Sequence, residues 1–276
     1  MTQAQTGEYT AKDIQVLEGL EAVRVRPGMY IGSTDQRGLH HLIYEILDNA
    51  VDEAMAGFCE RVDITISEDG WISVVDNGRG IPIDKHPKTG KSALETVMTT
   101  LHAGGKFGGG AYKVTGGLHG VGGSVVNALS EELRAEVRRQ GWLYSQEYER
   151  GKPTGGLVKG EKTTEHGTTV SFKPDSQIFP DIEYDFETLI SHFKEIAYLN
   201  KGLEIAFTSH WHYDKRRGDI QRTYFFDGGI ANHYAGRTCT DVQSRHHLYA
   251  GHDQHHDHRV GAVSYTHLTL PTSDLV

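Results

Sequence analysis

The segment Glu45-Ile46-Leu47-Asp48-Asn49-Ala50-Val51-Asp52-Glu53 sets four acids and an amide on a stretch of helical spacing. Glu45 and Asn49 are spaced i, i+4 and share a face, and Asp52 and Glu53 lie one turn further on. A carboxylate beside an amide oxygen suits a Mg²⁺ that keeps several waters, together with a positioned nucleophilic water. The same five polar side chains would equally make an ordinary solvated helix face.

A second group is the loop Asp76-Asn77-Gly78-Arg79-Gly80-Ile81-Pro82. A carboxylate at a strand end, followed by two glycines, leaves backbone room for a flat ligand. Asp76 can accept from an exocyclic amino group such as adenine offers. Asp-Asn-Gly is also common turn chemistry. A third group runs from Gly104 to Gly123, with ten glycines in 20 residues, and contains Lys106, Tyr112, Lys113 and His119. Successive glycines let backbone N–H groups converge on an anion, and a following helix adds positive potential. It could instead be a linker. No Gly-Lys-Ser/Thr closes it and no βαβ unit surrounds it, so it is neither a Walker A loop nor a Rossmann fingerprint. A fourth group, Gly167-Thr168-Thr169-Val170-Ser171-Phe172, is a strand whose Thr168 can reach the same ligand, although most strand threonines reflect β propensity.

Several elements must position these groups. Helical spacing is expected over Ile14–Arg26, ended by Pro27, and over Leu39–Met55. Alternation predicts strands at 62–67 and 71–75. Ser92 with Glu95 makes a capping box for a helix running to about His102, and a further helix starts near Gly122. Strand-like runs follow at Leu133–Arg139, Leu143–Glu149, Thr168–Phe172, Leu203–Phe207 and Gln221–Phe226, with a helix at Asp185–Leu199 among them. Helices mixed with hairpin-linked strands indicate an α+β two-layer sandwich: a mixed, largely antiparallel sheet covered by helices on one face.

The 276 residues carry 37 acids against 28 bases, a formal charge of -9, which excludes a simple basic nucleic-acid-binding module. Two distant cysteines, Cys59 and Cys239, give no disulfide framework and fit a reducing compartment. No apolar run approaches the ~18 residues of a membrane span, and Met1 to Thr10 lacks a signal segment. A cytoplasmic protein without a membrane partner is expected.

The order of the motifs resembles the Bergerat-type (GHKL) ATP-binding fold of type II topoisomerases, Hsp90 chaperones, MutL proteins and sensor histidine kinases. Finer matches are similar to the bacterial DNA gyrase B family. They are Gln15 to Gly32, Gly38-Leu39-His40-His41, Leu101 to Phe107 and Tyr112 to Gly122. The resemblance runs from about Tyr9 to Ile230. It implies an ATP-binding domain over 1–230 with an N-terminal dimerisation arm over 1–14. The chain reads as an N-terminal fragment, with the family's transducer and metal-binding domains beyond it. Turnover by the fragment alone is left open.

What the resemblance implies is specific. Glu45 activates the water that attacks the γ-phosphate, and Asn49 is the Mg²⁺ ligand. Asp76 binds the adenine amino group and Thr168 supports it. Asp52 and Glu53 lie beside the nucleotide. Arg79, Gly80, Ile81 and Pro82 form the rim and floor of the adenine pocket. Lys106, Tyr112, Leu118, His119, Gly120, Val121 and Gly122 form a lid over the phosphates. Tyr9 reaches into the pocket of a second copy. The implied function is an ATP-driven dimer clamp for duplex passage and negative supercoiling, with ATP and Mg²⁺ as cofactors. The implied partners are the gyrase A protein, which cleaves DNA, a second copy of the chain, and DNA through the full complex. The corresponding topoisomerase IV protein and an Hsp90-class ATPase are the alternatives. Gly123 stands where the family often has a larger residue.

From 231 to 276 the resemblance ends, and eight of the 17 histidines fall there. His with Asp at short spacing can ligate Zn²⁺. The absence of periodicity favours a stretch without selection for folding, and this tail is expected to be unstructured.

Overall fold

The computed structural model describes residues 19–103, 122–213 and 220–227, all within one compact unit. The predicted tail, the N-terminal arm with Tyr9, and the lid residues Lys106, Tyr112, Leu118, His119, Gly120 and Val121 lie outside the described residues.

Six helices and nine strands are described: α1 (Gly19–Val25), α2 (Gly28–Ile31), α3 (Gln36–Met55), β1 (Arg61–Ile66), β2 (Ile72–Asp76), α4 (Ala93–Thr99), α5 (Gly122–Ala128), β3 (Ser130–Arg139), β4 (Trp142–Glu149), β5 (Lys152–Pro153), β6 (Val158–Lys162), β7 (Gly167–Pro174), α6 (Phe186–Leu199), β8 (Glu204–Ser209) and β9 (Gln221–Phe225). The strands form one sheet in the order β5-β4-β3-β7-β2-β1-β8-β9, with β6 also pairing β4. Every pairing is antiparallel except β1 with β8. The expected mixed, largely antiparallel sheet is what forms.

Register fixes which side chains share a face, because strand side chains alternate. One row across the sheet reads Ala135, Val170, Val74, Ile64, Phe207, and every member is buried. The adjacent row reads Arg134, Ser171, Ser73, Thr65, Thr208, all polar. The Ser171 hydroxyl donates to that of Ser73 at 3.0 Å. The sheet is therefore apolar on one side, and the apolar faces of α3 and α6 complete the core there. Leu39, Leu42, Ile43, Ile46, Leu47, Ala50 and Val51 form the buried stripe of α3.

α3 starts three residues before the apolar pattern indicates. Asp35 caps it, accepting from the N–H groups of Arg37 at 2.9 Å and Gly38 at 3.4 Å. Ser92 caps α4 through the Glu95 N–H at 3.0 Å. The reciprocal half of the expected box is replaced: the Glu95 carboxylate takes Gln146 and Lys91 instead. β5 and β6 were not expected, and neither carries a buried residue. Cys59 is a free buried thiol, pushed up to about 11 by its burial. No helix among the described residues is long and apolar enough to cross a membrane.

Candidate nucleotide site

Asp76 is the last residue of β2 and pairs across from Val62, so its side chain points to the helix-covered face. Next to it on β7, Val75 pairs Thr169, which puts Thr168 beside Asp76 on that same face. Asp76 Oδ1 accepts from the N–H groups of Gly78 at 2.8 Å and Thr168 at 3.1 Å. Its Oδ2 takes no hydrogen bond from the described residues. Burial raises the Asp76 pKa, and those two N–H bonds oppose the rise. Thr168 thus supports Asp76 through its backbone, while its hydroxyl accepts from the Ile81 N–H at 3.3 Å. Gly167 makes this close pairing possible: at φ 127 its missing Cβ would strike the Asp76 carbonyl.

The loop after Asp76 is locked from two sides. Glu53 on α3 accepts from Arg79 at its backbone N (3.2 Å), Nε (2.9 Å) and Nη2 (2.9 Å). The Arg79 guanidinium lies 3.9 Å from the centre of the Phe58 ring. Arg139 on β3 donates to the carbonyls of Arg79 at 3.1 Å and Gly80 at 2.7 Å. Arg138 donates to the Thr169 hydroxyl at 2.9 Å and the Asp76 carbonyl at 3.3 Å. Pro82 is exposed at the rim. Glu53 was expected beside a ligand; its carboxylate also pairs with Arg79 and so shapes the loop after Asp76.

At the other end, Glu45 is half-buried on α3, and Asn49 is exposed one turn on. His41 Nε2 lies 3.6 Å from Glu45 Oε1. The first residue of α5, Gly122, sits directly against the Glu45 carboxylate, where a Cβ would collide with it. Gly123 has more room, since a Cβ there would meet Met98 Sδ at 3.4 Å, an ordinary contact. Asp52, expected beside the nucleotide, is 1% exposed, which sets it apart from an ordinary solvated helix face. Among the described residues no cluster of three His, Cys, Asp or Glu forms a metal cage. The donor set, one amide with nearby carboxylates, fits a Mg²⁺ whose remaining ligands are water and phosphate.

The sequence model of the "Histidine kinase-, DNA gyrase B-, and HSP90-like ATPase" family matches residues 34–178, just over half of the chain. The chain belongs to this ATPase family. Its relatives include the DNA gyrase B protein of Synechocystis sp., 56% identical over 87% of this chain and 22% of that protein. Another is the DNA gyrase B protein of Micrococcus luteus, 60% identical over 73% of this chain and 28% of that protein. The chain thus spans about a fifth to a third of the length of the curated relatives it matches. The 43K ATPase domain of Thermus thermophilus gyrase B, solved with an aminocoumarin, superposes with a TM-score of 0.68. It is 40% identical, with 79% of this chain and 54% of that one covered. The α+β architecture is the fold of this ATPase family.

The structure brings Glu45, Asn49, Asp52 and Glu53 onto one helix and joins Asp76, Arg79, Gly80, Ile81 and Thr168 in one bonded loop. Three contributors escaped the sequence reading. His41 is i−4 from Glu45, and that spacing was the available signal. Arg138 and Arg139 carried none, because only the β3–β7 register sets them behind the Asp76 loop. A cavity of about 520 Å³ between β3, β4 and Trp71 shares no residue with this site.

Proposed function

We propose that the chain is the ATP-binding and ATP-hydrolysing part of a type II DNA topoisomerase, the B protein of a bacterial DNA gyrase acting in the cytoplasm. The observation that carries this reading is Asp76. It is a buried carboxylate with one oxygen held by two backbone N–H groups and the other left for a ligand donor. That arrangement suits the exocyclic amino group of adenine.

Each group of the chain then has a task. Asp76 accepts from the purine, and Thr168 holds Asp76. Glu53 and Arg79 keep the loop wall in place under the ring. Glu45 orients the attacking water and takes its proton, a contribution commonly worth ~10²–10⁴-fold. His41 holds Glu45 from the preceding turn. Asn49 would hold Mg²⁺ together with triphosphate oxygens, and the bound ion supplies charge neutralisation at the phosphates. Lys106, Tyr112 and the segment from Leu118 to Gly122 would close over the phosphates. Tyr9 would cross to a second copy of the chain. ATP-driven closure of two copies would clamp a DNA duplex, with breakage performed by the gyrase A protein.

Calorimetric titration with a non-hydrolysable ATP analogue, with and without Mg²⁺, tests the core of this reading. One site per chain, tightened by Mg²⁺, is expected. No binding at millimolar analogue would remove it. Addition of duplex DNA and the DNA-cleaving gyrase A protein to the whole protein should then raise ATP turnover.

A further inference from the structure

We infer that Arg24 is a positioning residue for the phosphate half of the nucleotide site, acting at a distance through α5. The inference rests on the nucleotide reading above.

Arg24 grips two anchors at once. Its Nη1 donates to the carbonyl of Ala128, the last residue of α5, at 2.7 Å. Its Nη2 donates to Asp175 Oδ2 at 2.7 Å. The last carbonyls of a helix lack partners within it, and a cation there is also favoured by the helix dipole. Asp175 is fully buried, and besides Arg24 it accepts from Arg150 Nε at 2.9 Å and the Gln177 N–H at 2.9 Å. Its own N–H donates to the Leu129 carbonyl at 3.0 Å. The end of α5 is therefore held by Arg24 directly and by Asp175 one residue later.

α5 is short and rigidly enclosed. All seven residues are buried, and at 1.5 Å per residue it spans about 10 Å. Asn127 Nδ2 ties its C-terminal turn to the Met98 carbonyl at 2.8 Å. Its first residue, Gly122, rests on Glu45. A close-packed element held at both ends transmits displacement instead of absorbing it. Arg24 lies on α1, whose Leu20 also packs where Gly151 meets Ala128. The placement of α1 thus sets the seat of α5, and the seat of α5 sets the wall beside Glu45. Asp76 and Thr168 do not touch this chain of contacts, so the adenine half should be indifferent to it.

Arg150 supplies the control, because it shares the Asp175 carboxylate without a hydrogen bond to α5. Affinities for adenosine and for a non-hydrolysable ATP analogue with Mg²⁺ are compared in the wild type, Arg24→Met and Arg150→Met, alongside thermal melting. We expect Arg24→Met to lose about tenfold in analogue affinity while adenosine stays within about twofold. Arg150→Met should lower the melting temperature but leave both ligands near wild-type affinity. Equal losses for both ligands in Arg24→Met, or the same analogue loss in Arg150→Met, would overturn the inference, since pairing of a buried carboxylate would then explain everything. Should Arg24→Met not fold, Arg24→Lys decides. A lysine reaches one anchor and not both, so a selective loss of analogue affinity is expected, and wild-type affinity would overturn the proposal. A wild-type chain that binds neither ligand would instead refute the nucleotide reading itself.

Discussion

The two ends of the candidate site are built to different standards of rigidity. At the adenine end, Asp76 is buried and fixed by two backbone donors, and the loop beyond it is locked by Glu53, Arg79 and Arg139. At the hydrolytic end, Glu45 is half-buried with His41 at 3.6 Å, and Asn49 is exposed. One end is preorganised by the sheet; the other is held by one helix face and the start of α5. Recognition of a base needs a fixed acceptor, because an unpaired or misplaced buried polar group costs ~1–3 kcal/mol. Positioning a water needs groups that complete their geometry only when nucleotide and ion arrive.

The sharpest way to break that contrast is Glu45→Gln, which keeps the shape of the side chain against Gly122 and removes the base. ATP turnover of the full-length protein should fall by ~10²-fold or more, while affinity for the ATP analogue remains near wild type. A large loss of affinity would show that Glu45 belongs to recognition, and the division would fail.

Asp76→Asn addresses the other end. The amide oxygen can still accept from Gly78 and Thr168, so the loop should keep its form. The ligand-facing atom then changes from a charged acceptor to an amide N–H donor that cannot accept from an amino group, and analogue affinity should drop by about tenfold or more, an interaction of ~1.5–3 kcal/mol. The stability effect should have the opposite sign. Burial raises the Asp76 pKa, so the charged form disfavours folding at neutral pH and its removal should raise the melting temperature. The same shift predicts that wild-type affinity weakens on acidification before ordinary carboxylates, near pH ~4, would protonate. A pH series of titrations reads this directly, and an affinity flat down to that region would contradict it.

Much of this was legible in the residues. α3 announces itself through Leu42, Ile43, Ile46, Leu47, Ala50 and Val51, because its core face repeats over successive turns. β1 alternates cleanly. β5 and β6 were not legible, since fully exposed edge strands have no burial pattern to read. The parallel pairing of β1 with β8 joins segments more than a hundred residues apart, and no local spacing encodes it. At the site, residue types alone made Asp76 and Glu45 candidates beside a plain turn and a solvated helix face as equal readings, and only the order of the motifs along the chain singled them out. The Glu53–Arg79 pairing was not legible, because a carboxylate beside a site and one pairing with an arginine of the next loop look alike until the loop is folded. The burial of Asp52 was not legible, because helical geometry gives an azimuth and not a depth.

The smallest expected effect concerns the ground on which the hydrolytic end stands. His40, next to His41 on α3, is 2% exposed, and its Nε2 accepts from the Asp185 N–H at 3.0 Å. That bond requires the neutral ring with its proton on Nδ1. Burial holds the imidazole pKa down, to about 4, despite the opposing Asp185 carboxylate. In the unfolded chain the ordinary value is 6.5. Between those values the unfolded state binds the proton and the folded state does not, so stability is lost as pH falls from about 6.5 toward 4. The loss is of order 2–3 kcal/mol for such a shift. His40→Gln retains an acceptor for Asp185 without a titrating group. It should cost about 1 kcal/mol at neutral pH through poorer packing, and its melting temperature should decline less steeply on acidification. Parallel melting curves for the two proteins across that range would mean that other groups govern acid stability, and that the packing between α3 and α6 beneath His41 is not set by a neutral histidine.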